Sequence, residues 1–142
     1  MEPDHVIAID PGKTTGFAYW YGSEVVADQE PDQVEFCTRL ERYLEIRCPG
    51  VVVIERFVIN VKTVGNSQAP WSLELIGVAR YLAAKHNCEF VIQTPADAKR
   101  FMSDERLKNL GWWQKGKVHA NDALRHLGLY LVTRKLMCVD VL

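Results

Sequence analysis

His5-Val-Ile-Ala-Ile-Asp10-Pro-Gly-Lys-Thr-Thr-Gly16-Phe-Ala-Tyr-Trp20 decides the fold. It reads as a buried apolar strand that ends in one carboxylate, turns tightly and returns as a second strand. Pro11, Gly12 and Gly16 are taken as turn residues, and the alternation after Gly16 suits a hairpin. A carboxylate at the end of an apolar run is costly to bury unless it is paired or holds a cation. Taken alone, Asp10 reads equally well as an aspartate that caps a turn. Acidic residues elsewhere in the chain must decide.

Working outward, strands are expected near residues 5–10, 16–21 and 24–28, forming an antiparallel meander. Pro31 and Asp32 open a helix to about residue 47, with Val34, Cys37, Leu40 and Leu44 inward. Pro49-Gly50 stops it. Val51-Val-Val-Ile54 fits a central strand covered on both faces. A polar loop follows, then a helix from about Pro70 to His86 with Leu73, Ile76, Ala79, Leu82 and Ala83 inward. Glu89–Gln93 forms another strand, and Thr94-Pro95-Ala-Asp97 starts a short helix. Residues 103–116 read as irregular, and a last helix runs from near Lys117 to about Lys135. The order implies one α/β domain over residues 1–142, a five-stranded mixed sheet flanked by helices.

Composition sets bounds. A chain of 142 residues is long enough for a proper core, and 48% hydrophobic with 25% charged is ordinary for a globular protein. No segment resembles a signal peptide and no apolar run would cross a bilayer, so a cytoplasmic protein without membrane contact is expected. The four cysteines show no metal-type spacing and are expected as reduced, buried thiols. The net charge is −1, but nine Lys/Arg face four Asp/Glu in residues 97–135. Such a segment suits a polyanion, although a solvated helix face would give the same count.

Glu55 follows its apolar strand as Asp10 follows the first. If those strands are parallel neighbours, the two carboxylates sit side by side. The last helix adds His119 and Asp122, three residues apart and so on one face. His126 lies one turn further on, where a histidine that supports a neighbour or packs in the core is favoured over a ligand. Clustered acids with an imidazole suit Mg²⁺ or Mn²⁺. Two such ions about 4 Å apart are the usual arrangement for cutting a phosphodiester.

Ile-Asp10-Pro-Gly with Gly16, Val-Ile-Glu55 and His119-x-x-Asp122-Ala resemble the motifs of RuvC-type Holliday junction resolvases, of the ribonuclease H-like superfamily. Ser72-Leu-Glu-Leu-Ile-Gly77-Val-Ala-Arg80 is similar to the helix after that family's glutamate strand, and Thr94-Pro95…Lys99 to its last-strand segment. The short chain with its tryptophans looks most like phage-encoded members. The turn from Asp10 to Gly16 is one residue shorter than in typical bacterial members.

The resemblance implies a ribonuclease H-like fold and a homodimer that cuts branched DNA in the host cytoplasm, serving recombination and repair. Four-way junctions are the implied substrate, with flaps and forks as further candidates. It implies a catalytic and metal-binding set of Asp10, Glu55, His119 and Asp122, holding two Mg²⁺ ions for which Mn²⁺ can substitute. Asp10 would bridge the ions, Glu55 would orient the attacking water, and 5′-phosphate and 3′-hydroxyl ends would result. Phe57, offset by one residue from the family's pattern, is the nearest candidate for a wedge in the junction. Lys62, Lys99, Arg100, Arg106, Lys108, Lys115 and Lys117 are the expected phosphate contacts. Trp112 and Trp113 stand among them, either to stack on bases or to pack on the core. Gly77 is expected at a close helix contact, with a dimer partner as one option.

Three rivals remain. The first hairpin also resembles a phosphate loop of actin-like ATPases, but the chain has no room for their second domain. A noncatalytic module that binds branched nucleic acid is the second, and a YqgF-like RNA-processing nuclease the third. Intact acids at every motif argue against the former, and Glu55 directly after its strand against the latter.

Overall fold

A computed structural model describes residues 2–59, 61, 65, 69–138, 140 and 142. The expected five-stranded mixed sheet is present, in the order β3-β2-β1-β4-β5. β1 (Glu2–Asp10), β2 (Thr15–Tyr21) and β3 (Val25–Glu30) form the antiparallel meander. β4 (Pro49–Glu55) lies parallel to β1, and β5 (Glu89–Gln93) parallel to β4. Pro49 takes the first position of its strand, where its missing N–H costs least.

Helix α1 (Gln33–Arg47) starts at Asp32, whose side chain accepts from the Glu35 N–H. It ends at Cys48, held in the left-handed region at φ 48°. α2 (Ala69–Lys85) follows β4. α3 (Pro95–Phe101) is capped by Thr94, as its sequence indicates. α5 (Val118–Thr133) closes the described order of helices.

The segment expected to be irregular contains one more helix, α4 (Asp104–Asn109). Ser103 accepts from the Arg106 N–H, two acids occupy the first turn, and Leu107 is fully buried. A helix this short shows almost no periodicity, so its cap was the only legible signal.

Two inward faces differ from the expected ones. On α1 the buried set is Phe36, Leu40, Tyr43 and Leu44, while Val34 is 76% exposed. The larger aromatic residues win the inner face, with Phe36 against Phe17 and Tyr43 stacked on Tyr19 at 4.1 Å. On α2 Leu75 takes the core position expected of Leu73, which is exposed. A Cβ on Gly77 would meet no atom of the described residues within 4 Å beyond its chain neighbours and its own helix backbone. The cysteines also differ in part. All are free, but Cys48 and Cys138 are exposed.

Strand parity divides the core. Ile7, Ile9, Val52 and Ile54 face α1 and α2. Val6, Ala8, Val51 and Val53 face α5 together with Met102 and Leu107. This two-sided burial is why the strands read as continuous apolar runs. Ala8, Ala18 and Ala27 stand opposite one another across three strands, a row of small residues on the α5 side. α5 lies against that row and touches β1, β2, β3 and β4.

Candidate active site

The same parity aims the carboxylates. Asp10 follows Val6 and Ala8, and Glu55 follows Val51 and Val53, so both point to the α5 side. Ile9 pairs with Ile54 in the parallel register, which puts Asp10 and Glu55 at adjacent strand ends. α5 begins there and contributes His119 and Asp122. The four side chains line one cleft of about 210 Å³ with Pro11, Gly12, Arg56, Phe57 and Ser72.

Several local features bring the start of α5 to this place. Gly16 lies inside β2, opposite Asp10, rather than in the turn where the sequence reading put it. A Cβ on Gly16 would overlap the His119 carbonyl, so glycine is required by close approach and not by backbone conformation. Lys117, at the cap position of α5, makes no capping bond. Instead, the Gln29 side-chain oxygen accepts from the His119 and Ala120 N–H groups at 3.2 and 3.4 Å. Lys117 Nζ bonds Asp28 at 2.9 Å, holding Asp28 well below its ordinary carboxylate value. Buried Asn121 clamps the preceding loop through the Gln114 N–H and carbonyl. At the hairpin, Ser72 Oγ donates to the Pro11 carbonyl at 3.0 Å.

Each acid has its own partner. His119 Nδ1 lies 3.2 Å from Asp10 Oδ2. His126 Nε2 lies 2.7 Å from Glu55 Oε2. Arg125 Nε donates to Asp122 Oδ1 at 3.3 Å. Asp10 is only 8% exposed, and its carboxyl is pushed up to about 6. Burial is the main cause; the bond from His119 opposes it, and the charges of Glu55 and Asp122 add to it. The bond to Asp10 raises the His119 imidazole above its usual value.

Three carboxylates and one imidazole around one cleft form a donor set suited to a hard divalent cation. Burial chiefly raises the Asp10 carboxyl, and the nearby Glu55 and Asp122 charges add to that rise. The donors stand as separate pairs. Among the described residues no three or more of His, Cys, Asp and Glu are gathered into a ligand group. The set fits a cation by the chemistry of its donors, three carboxylates and an imidazole on one cleft.

The expected DNA contacts separate into groups. Lys99, Arg100 and Lys115 are exposed. Arg106 donates to the Phe101 carbonyl at 2.8 Å and lies over its ring, and Lys108 lies over the Trp113 ring. Trp112 and Trp113 both pack against the α5-side core, which accounts for the tryptophans of that loop. Phe57 borders the cleft, and Lys62 lies outside the described residues. Sequence reasoning missed Gln29, Gln93, Arg125 and Ser72. Of these, only Arg125 carried a signal, three residues after Asp122 on the same helix.

No protein-family model matches the chain, and no curated protein matches it in sequence. Solved structures do. Thermus thermophilus RuvC in complex with Holliday junction substrate superposes with a TM-score of 0.70 at 16% identity, covering 92% of this chain and 95% of that one. The yeast mitochondrial Holliday junction resolvase Ydc2 gives 0.60 at 15% identity, covering 96% and 81%. The fowlpox virus Holliday junction resolvase gives 0.58 at 12% identity, covering 91% and 99%. The fold is that of these Holliday junction resolvases.

Proposed function

We propose that this chain is a divalent-cation-dependent endonuclease that cuts branched DNA, four-way junctions foremost. One observation carries the reading: Asp10, Glu55, His119 and Asp122, from two parallel strand ends and one helix start, line a single cleft. That the resolvase fold surrounds this cleft supports the choice of substrate.

Asp10, Glu55, Asp122 and His119 would hold the cation, Mg²⁺ or Mn²⁺. When bound, it supplies Lewis acidity at the scissile phosphate and a water of lowered pKa. Glu55 would orient the attacking water, whose proton passes to solvent as the P–O3′ bond breaks and the departing 3′ oxygen takes up a solvent proton. Arg56, exposed at the cleft wall, offers positive charge to the phosphate. Cleavage on the 3′-oxygen side leaves 5′-phosphate and 3′-hydroxyl ends. Lys99, Arg100 and Lys115 contact the backbone of the arms, and Phe57 at the cleft mouth meets the branch.

The enzyme works as a homodimer, which places two clefts on one junction. The exposed α2 face supports this, since Leu73, Val78 and Tyr81 lie on it beside the open Gly77 position. Tyr81→Glu is expected to shift the sedimentation coefficient to that of a monomer.

Labelled four-way junction, flap, fork and linear duplex DNA with Mg²⁺ test the activity. Paired symmetric nicks in the junction establish the resolvase. Cutting of flaps and forks at equal rates leaves a broader branched-DNA nuclease. Binding without cutting of any substrate defeats the catalytic reading.

A further inference from the structure

We infer that His126, braced by Gln93, is a positioning residue for Glu55, fixing which carboxylate oxygen faces the cleft. The inference rests on the proposal that Glu55 is a cation ligand. His126 is 1% exposed and stands behind Glu55, four residues beyond Asp122 on α5. Its Nε2–H donates to Glu55 Oε2 across 2.7 Å. Its Nδ1 lies 2.8 Å from the Gln93 side-chain amide oxygen. A glutamine amide can face a ring nitrogen with either its oxygen or its N–H group, so Gln93 holds the ring in either protonation state.

Gln93 is built for this place. It pairs with Glu55 in the β4–β5 register, and its carbonyl accepts from the Arg56 N–H at 2.8 Å. Backbone and side chain of one residue therefore fix both the end of β4 and the ring that grips Glu55. Val91 packs on the α5 side, and Gln93, two residues on, takes the same side by parity. With Oε2 engaged from behind, Oε1 is left for a ligand in the cleft.

His119 differs in kind. It lines the cleft, its side chain is 42% exposed, and it can leave Asp10 for a cation. The 1% exposed side chain of His126 has no such freedom. Partners of this sort hold a metal ligand in orientation, and losing one typically weakens the metal by about ten- to a hundredfold.

Mn²⁺ binding to the DNA-free protein, followed by calorimetry or by the signal of free Mn²⁺, tests the inference. His126→Leu keeps the buried volume and removes the donor. His126→Gln restores an N–H near the Nε2 position, and Gln93→Met removes only the brace. Glu55→Gln reports on the ligand itself. We expect His126→Leu to weaken Mn²⁺ about tenfold or more in protein that is still folded, with some loss of melting temperature from the unpaired Gln93. Gln93→Met should weaken it less, and His126→Gln should recover most of the loss. Junction affinity should stay constant while the Mg²⁺ concentration for half-maximal cleavage rises. If Glu55→Gln weakens Mn²⁺ but His126→Leu and Gln93→Met do not, the positioning role is wrong and the ligand assignment stands. If Glu55→Gln binds Mn²⁺ as tightly as wild type, both are wrong. Should His126→Leu fail to fold, Gln93→Met decides by the same criterion.

Discussion

The Cβ that Gly16 lacks would sit 1.9 Å from the carbonyl oxygen of His119. No rotamer change relieves such a clash, because both groups are backbone. The contact sets how near α5 comes to the β1–β2 hairpin, and so how near His119 comes to Asp10.

Gly16→Ala is therefore expected to push the start of α5 off the sheet, at a cost of about 1–3 kcal/mol or more. Gly128→Ala, on α5 itself, is the control. The atoms nearest its Cβ would be those of the Met102 side chain, from 2.8 Å, and that flexible chain can move. Urea unfolding should show the larger loss for Gly16→Ala, with cleavage lost as well. Equal, small losses for the two would contradict the account.

Asp10 and His119 make cation binding depend on pH. The carboxyl of Asp10 is raised to about 6, so without a cation the folded state is penalised as pH climbs from about 4 through about 6. The unfolded chain gives up that proton first. His119 has the opposite sense of origin: its raised value adds stability below about 6.5, lost as pH rises through the folded value. Both effects favour the cation-free protein on the acid side. A cation needs Asp10 ionised and His119 unprotonated, so its binding releases protons. The rise in melting temperature caused by Mn²⁺ should be large at about pH 8 and small at about pH 5. An equal rise at both would count against these ligands.

Arg125 ties three helices together. Besides Asp122, it donates to the Met102 carbonyl at 2.7 Å and pairs with Asp104 at the start of α4. Its side chain is only 12% exposed. Arg125→Ala should cost about 2–3 kcal/mol in denaturant unfolding, because a charge-assisted network is broken and a carbonyl is left unpaired. Arg125→Lys should recover only part, since one ammonium cannot reproduce the forked geometry. A stability loss below about 0.5 kcal/mol for Arg125→Ala would show that the network is dispensable.

The basic residues should divide in two. Lys99→Ala, Arg100→Ala and Lys115→Ala should weaken junction binding without changing stability. Each lost phosphate contact lowers the salt slope of binding by about 0.9. Arg106→Ala should instead cost about 1 kcal/mol or more of stability, through the bond it makes to the Phe101 carbonyl. Fluorescence anisotropy at several salt concentrations, beside thermal unfolding, separates the groups. An unchanged slope for all three exposed residues would remove them from the interface.

How much the sequence reveals depends on how local the signal is. The apolar runs ending in Asp10 and Glu55 are legible because alternation sends Val6, Ala8 and Asp10 to one side of the sheet. His119 and Asp122 are legible from helical spacing. The contacts that bring these pieces together are not. Gly16 looks like a turn residue until α5 is seen against it, and Gln29 and Gln93 carry no mark that they will meet α5. The inner face of α1 was open to sequence reasoning, since Phe36, Leu40, Tyr43 and Leu44 follow the i, i+4, i+7, i+8 spacing and Val34 lies off that face.

The most direct test is the single-turnover rate of four-way junction cleavage by wild type, Asp10→Asn and Glu55→Gln, with junction affinity measured beside it. The account predicts symmetric cuts by wild type with Mg²⁺, a loss of about a thousandfold or more in each variant, and affinity unchanged or higher. Variants that cut at rates near wild type would contradict the assignment of this cleft as the site of hydrolysis.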